Sequence, residues 1–421
     1  MNTLSSRQLV AARVSLLTIA LICNAASATE ILSDKAPSSL SSFVKDSLNQ
    51  QPRLLAVQAD IAAAEANLRA SKQAIYNPEL ELAYENSSAN TKTIGISQTL
   101  DWGDQQGSRT DLAVAELSVI KTNYTIAVQN FATSLLTGLA QNQTAKQLEQ
   151  LSAEALNLMQ QFKRIAEQRH QAGDLNQVDL NLAQLAYSQA LMEHASSLSR
   201  VTEVHEQLRS IVGMLPEQLP VLPEQLSEPL LQDNLDSFLM ELPAIRSKMA
   251  EVQANRQQIA LRKSQQAWNP TIGVTAGTEG SDNLIGLNLS IPLNVRNNFS
   301  AEVDVAYQQL IASEQRAQQD YRNIRANIAA TTVRYQNLLS AWDSWRQNSR
   351  DRVTQQLILI NQLWQAGDIS ASDYLLQVKQ ALEIQATGFE LRNELWNTAF
   401  EWMRLTASVD KWLNINLQEI N

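Results

Sequence analysis

The stretch "NPELELAYENSSANTKTIGISQTL" at residues 77–100 decides the fold, because within it the chain leaves a helical period for strict alternation. Leu80, Leu82 and Tyr84 share one face of an extended segment with Glu79, Glu81 and Glu85 opposite, and Ile94 and Ile96 then oppose Thr93, Gly95 and Ser97. The pattern predicts a hairpin with "NSSANTK" at 86–92 as its loop. The same reading recurs at 271–293: Ile272 and Val274 stand against Thr271, Gly273 and Thr275, then Ile285, Leu287, Leu289 and Ile291 against Gly286, Asn288 and Ser290, with "GSDN" at 280–283 between. The runs have about the 9 to 11 residues that a membrane-spanning strand requires. Alternation alone, in four such strands taken in isolation, favours a soluble sheet over a small core.

Working outward, each hairpin sits inside a longer repeated unit. "PRLLAVQADIAAAEANLRASKQAIYNPEL" at 52–80 aligns with "PAIRSKMAEVQANRQQIALRKSQQAWNPTI" at 243–272, and "TIGISQTL" at 93–100 with "LIGLNLSI" at 284–291. The offset stays between 191 and 194 residues, so the chain is a tandem duplication. Between the copies, Pro216, Pro220, Pro223 and Pro229 exclude a continuous helix. The expected plan is a leader at 1–28, a first repeat at 29–212 with its hairpin at 79–101, a linker at 213–242, and a second repeat at 243–421 with its hairpin at 271–293.

Proline is absent from 79 to 215 and after Pro292, which leaves two tracts free to form long helices. Leu148, Leu151, Ala155, Leu158, Phe162 and Ile165 keep steps of three and four, as do Leu117, Ile120, Tyr124, Ala127 and Phe131. Val353, Leu357, Ile360 and Trp364 do the same in the second tract. A helix from 104 to 172 would run on the order of 100 Å at 1.5 Å per residue, too long for a compact domain. Its flanks are rich in Ala, Gln, Asn and Ser, which suits a solvated coiled-coil hairpin or helices packed side by side in a closed ring; periodicity leaves both open.

Both tracts turn at Gln-Ala-Gly-Asp: "RHQAGDLNQVDL" at 169–180 and "LWQAGDISASDYL" at 363–375. Gly173 and Gly367 are expected to close their helices in the left-handed conformation, and Asp174 and Asp368 to accept from the free amides of the next helix. That leaves Asp179 and Asp373, each five residues beyond, without a local role.

The N-terminus carries Arg7 and Arg13 ahead of "VSLLTIALI" and a small-x-small site at Ala26-Ser27-Ala28, the pattern of a secretory signal peptide. Cys23, the sole cysteine, lies inside it, and the bulky Ile22 before it argues against lipid attachment. Cleavage after Ala28 would leave 31 basic residues against 43 acidic, a charge of −12 with no thiol. Such a chain is a poor partner for nucleic acid. The three histidines, His170, His194 and His205, form no metal-ligand pair, and no phosphate loop or nucleophile motif appears, so neither enzyme nor cofactor is expected. His170 is expected to serve the carbonyl end of its helix.

A signal peptide, paired hairpins and very long helices must be satisfied together. A bilayer does not tolerate the open edges of a four-stranded sheet, so several copies are needed to close it, and three would give twelve strands. Tyr76 and Trp268, each two residues before a proline, would stand at the bilayer interface as aromatic anchors.

At this point the chain resembles the TolC-type outer-membrane efflux proteins, and among them the CzcC-like cation-efflux branch. The likeness rests on the duplicated order of helix, NP, hairpin, long helix, Gly turn and helix, on "NPELELAYEN" and "TIGISQTLDWGDQQGSR", and on the turns followed by Asp179 and Asp373. It implies a mainly α chain with a small β part: a homotrimer forming an α-barrel through the periplasm and a 12-stranded β-barrel in outer-membrane lipid. It also implies a periplasmic adaptor docked at the tips near Gly173, Asp174, Gly367 and Asp368, an inner-membrane pump of the RND type, and an entrance narrowed at Asp373 with Asp179 nearby. Leu376, Trp364 and Ile369 depart from the residues that close the entrance in TolC, so closure here must use other contacts. A secretion duct for peptides or proteins and a soluble periplasmic coiled-coil adaptor are the alternatives. The acidic strand face would favour cations if it lines the lumen.

Overall fold

The computed structural model describes residues 35–87, 89–230 and 234–416; the signal-peptide reading, with Cys23, lies outside them. In chain order the elements are α1 (Ser38–Asn49), α2 (Pro52–Ser71), β1 (Glu79–Asn86), β2 (Asn90–Thr99), α3 (Gln105–Gln171) and α4 (Gln177–Val212). There follow α5 (Leu235–Glu241), α6 (Pro243–Ser264), β3 (Thr271–Glu279), β4 (Asp282–Ser290), α7 (Ser300–Asn348), α8 (Arg350–Ala366), α9 (Ala371–Leu405) and α10 (Val409–Leu413). The fold is mainly helical with one antiparallel sheet in the order β1-β2-β3-β4. The two hairpins of the duplication thus join edge to edge.

Both hairpin loops are tighter than expected. Pairing runs out to Asn86 opposite Asn90 and Glu279 opposite Asp282, because polar strand ends continue the ladder as readily as apolar ones.

The first long tract is one helix of 67 residues, on the order of 100 Å at 1.5 Å rise. Asp101 anchors its start by accepting from the amides of Gln105 at 2.9 Å and Gln106 at 2.8 Å. The second tract differs from the expectation of an unbroken helix: it is interrupted at Ser349, where φ is −116°. Just before the break Trp345 stacks on Trp342, with ring centroids 5.2 Å apart, and its indole occupies the space over Gly388 of α9 that any Cβ would fill.

Two cores hold the helices. One joins the middle of α3 to α7, α9 and the terminal α1 and α10 through Leu135, Leu136, Tyr335, Trp396, Phe400 and Trp402. The proline-rich segment packs onto it, with Tyr335 donating to the Ser227 carbonyl at 2.8 Å and Trp342 to that of Glu224 at 3.3 Å. Arg392, only 7 % exposed, sits beside Trp342 and donates to Gln147; burial lowers its pKa. The second core lies at the far ends of α3, α4, α8 and α9.

Candidate functional site

The sheet presents the alternation as two unlike faces. Leu80, Ile96, Val274 and Leu287 stand in one row across the four strands, and Leu82, Ile94, Ala276 and Ile285 in the next. All eight are exposed, Leu287 at 83 %, so this apolar face has nothing of its own chain to cover it. The opposite face carries Glu79, Ser97, Gly273 and Asn288 in one row, then Glu81, Gly95, Thr275 and Gly286. A Cβ on Gly95 would stand 2.6 Å from the Thr275 methyl, and one on Gly286 2.6 Å from the Thr275 hydroxyl. Glycine at these positions leaves room for the Thr275 side chain on the polar, acidic face.

At the helical end of the sheet, Leu100 donates to the Pro270 carbonyl at 2.8 Å and the Trp102 amide to Asn269 Oδ1 at 3.1 Å. Asn269 in turn donates to the Tyr76 hydroxyl at 3.1 Å, and Gln98 to the Tyr76 carbonyl at 3.2 Å, so Tyr76 is tied into the base of the sheet and half-buried. Trp268 is exposed, and so is Trp102 at 73 %. Sequence reasoning missed Trp102, although "TLDW" sets it just past the end of a strand, at the same level as Trp268.

The two tips share one geometry. Gly173 and Gly367 take the expected left-handed φ, +83° and +84°. The Asp174 amide donates to the Arg169 carbonyl at 2.8 Å and that of Asp368 to Leu363 at 2.9 Å, which closes each preceding helix. Asp174 and Asp368 therefore do not cap the following helices, contrary to the sequence expectation. The caps are Asn176 and Ser370, which accept from the amides of Asp179 at 2.9 Å and Asp373 at 3.1 Å. Two further residues separate each first Asp from its new helix, too far for its carboxylate to reach the first free amides. The returning contacts give the second aspartates a local role as well: Asp179 accepts from the Asn176 amide nitrogen at 2.9 Å and Asp373 from the Ser370 hydroxyl at 2.7 Å. Asp373 is exposed and Asp179 half-exposed.

Beneath the tips, Phe162, Trp364 and Tyr374 form a cluster with ring centroids 4.7 to 5.3 Å apart, and burial pushes the Tyr374 phenol up to about 12. Arg169 of the first hairpin lies over the Trp364 ring at 5.0 Å and comes within 3.8 Å of where a Cβ on Gly367 would stand. Trp364 is wholly buried and Ile369 packs against the same cluster, so both act here as core. His170 Nδ1 lies 2.8 Å from the Leu175 carbonyl across the first turn.

Among the described residues no helix is long and apolar enough to cross a membrane, and no group of three or more His, Cys, Asp or Glu converges as metal ligands would. The features that single out this chain are a four-stranded sheet with one bare apolar face, very long helices and paired tips.

Known proteins show the same arrangement. Residues 43–214, most of the first repeat, match the family model described as outer membrane efflux protein. No curated protein sequence matches. The outer-membrane channel OprN superposes with a TM-score of 0.74 at 13% identity, covering 88% of this chain and 90% of that one. CusC, whose structures concern transmembrane channel formation, gives 0.72 at 15% identity over 92% and 94%. The CmeC outer membrane channel of Campylobacter jejuni gives 0.73 at 12% identity over 93% and 95%. The first repeat matches the outer membrane efflux proteins in sequence, and the chain shares its fold with solved outer-membrane channels.

Proposed function

We propose that this chain is the outer-membrane component of a tripartite efflux system. Three copies close their open β1 and β4 edges into one twelve-stranded barrel, and their long helices form a duct across the periplasm. The observation that carries this reading is the register of the sheet, which puts eight exposed apolar side chains on one face and Glu79 and Glu81 on the other. A soluble coiled-coil adaptor would not leave so large an apolar face in water. The duct is passive, driven by an inner-membrane pump of the RND type through an adaptor docked at the Gly173–Asp174 and Gly367–Asp368 turns. Asp373, with Asp179, attracts cations to the entrance.

The CzcC-like motifs and the acidic lumen favour divalent metal cations as cargo. The assembly is tested by sizing the detergent-extracted protein: a trimer is expected, and a monodisperse monomer in buffer without detergent would end the barrel reading. The cargo is tested by deleting the gene and measuring tolerance of zinc, cobalt and cadmium. Unchanged tolerance of all three, with drug export lost, would reassign the substrate.

A further inference from the structure

At the helical end of the sheet lies a cavity of about 510 Å³ lined by Trp102, Gln266, Ala267, Trp268, Pro270 and Ile291. Its position ties it to the sheet, because Ile291 continues the apolar row that ends at Leu289, and the two indoles stand at the bases of the central strands β2 and β3, not at an open edge. The walls are fixed from behind: Gly103 passes so close to the Ser264 carbonyl and the Ala267 methyl that a Cβ there would collide, and Leu100 is bonded to Pro270. Gln266 is already committed, its side chain to the Asn298 carbonyl at 3.2 Å and its own carbonyl to Asn294 at 3.1 Å. The indole N–H groups of Trp102 and Trp268 are different. Neither has an acceptor among the described residues, although those of Trp342 and Trp402 do.

An apolar recess with two uncommitted donors among its lining residues suits a ligand that is hydrocarbon at one end and carries acceptor oxygens at the other. We propose that this cavity seats one acyl chain of a bilayer phospholipid, its ester carbonyls accepting from Trp102 and Trp268. The proposal rests on the barrel reading, since continuity with the membrane-facing band is what brings a lipid to the cavity. It goes further in making the two indoles a built lipid site and not merely exposed aromatics. Lipid bound here would fasten the barrel to the start of α3, because Trp102 lies between β2 and that helix, next to Asp101, which holds its first amides.

The test uses the full-length channel reconstituted in phospholipid vesicles whose acyl chains are brominated either beside the ester or near the methyl end. Six of the eight tryptophans lie in the helices, so quenching by lipid reports on Trp102 and Trp268. Wild-type protein should be quenched more by bromine beside the ester. Trp102→Phe/Trp268→Phe should lose that quenching and still conduct. Native mass spectrometry after detergent exchange should show phospholipid retained by wild type and lost from Trp102→Ala/Trp268→Ala. Equal quenching by both lipids, or equal retention by variant and wild type in channels that conduct, would overturn the site while leaving the barrel intact. Protection of both indoles from either lipid in an assembled trimer would give the cavity to a neighbouring copy and likewise overturn it. Failure to insert at all would remove the barrel reading and this one with it.

Discussion

Ser370 and Asp373 are bonded to each other twice: the Asp373 amide donates to Ser370 Oγ at 3.1 Å, and the Ser370 hydroxyl donates to Asp373 Oδ2 at 2.7 Å. The carboxylate thus has a local task, and its charge is separable from that task. Asp373→Asn keeps an acceptor for the hydroxyl and removes the charge; Ser370→Ala keeps the charge and removes the cap. In single reconstituted channels Asp373→Asn should weaken cation selectivity, more at low salt than at high. Ser370→Ala should leave selectivity alone and lower stability by about 1 kcal/mol. Loss of selectivity from Ser370→Ala alone would mean that the cap, not the charge, shapes the entrance.

Gly173 and Gly367 sit at φ +83° and +84°, where a β-branched residue is strained by about 1 to 3 kcal/mol. The two sites are not equivalent. No atom outside the immediate chain lies within 4 Å of a Cβ at Gly173, whereas one at Gly367 approaches the Arg169 guanidinium. Gly173→Val and Gly367→Val should both impair export and crosslinking to the adaptor with membrane insertion spared, Gly367→Val more severely. Normal export in both would remove the turns from the docking surface.

The features legible in sequence are those set by neighbours along the chain. Alternation from Glu79 to Thr99 fixes which side chains share a face, and positive φ at Gly173 and Gly367 follows from a helix that must stop and reverse within a few residues. The errors arise where distance in space decides. Asp174 and Asn176 are chemically similar cap candidates, and only the length of the turn selects Asn176. The break at Ser349 has no proline or glycine beside it; Trp345 packs just before it against Gly388, thirty-nine residues past the break. Trp102 belongs to no periodic run, so its partnership with Trp268 emerges only when β2 pairs with β3.

That indole contact yields a packing prediction. The Trp345 ring occupies the space any side chain at Gly388 would need, so Gly388→Ala must displace it or shift α9 away from α7. Overpacking of this kind costs about 1 to 3 kcal/mol. Thermal unfolding should fall accordingly, and Gly388→Ala combined with Trp345→Leu should recover part of the loss. Additive losses in the double variant would show that the two positions do not contact each other.

The tip cluster gives the last prediction. Phe162, Trp364 and Tyr374 come from both hairpins, so they couple the two Gly turns through one small core. Phe162→Ala should cost about 3 to 5 kcal/mol and expose the chain near 173 and 367 to protease together, not one after the other. The phenol supplies a pH signature. Its pKa is raised from 10.0 to about 12 by burial, so the folded state holds the proton more tightly than the unfolded state. The stabilising contribution is complete below pH 10 and is lost as pH rises from 10 towards 12, at up to about 1.4 kcal/mol per pH unit. Tyr335, buried in the other core, is raised as well and loses stability over an overlapping alkaline range, so the tip must be read separately. Proteolysis at the turns should accelerate above pH 10 in wild type and markedly less in Tyr374→Phe, while Tyr335→Phe should leave that acceleration in place. If Tyr374→Phe tips open with the same alkaline profile as wild type, ionisation of Tyr374 is not what loosens them.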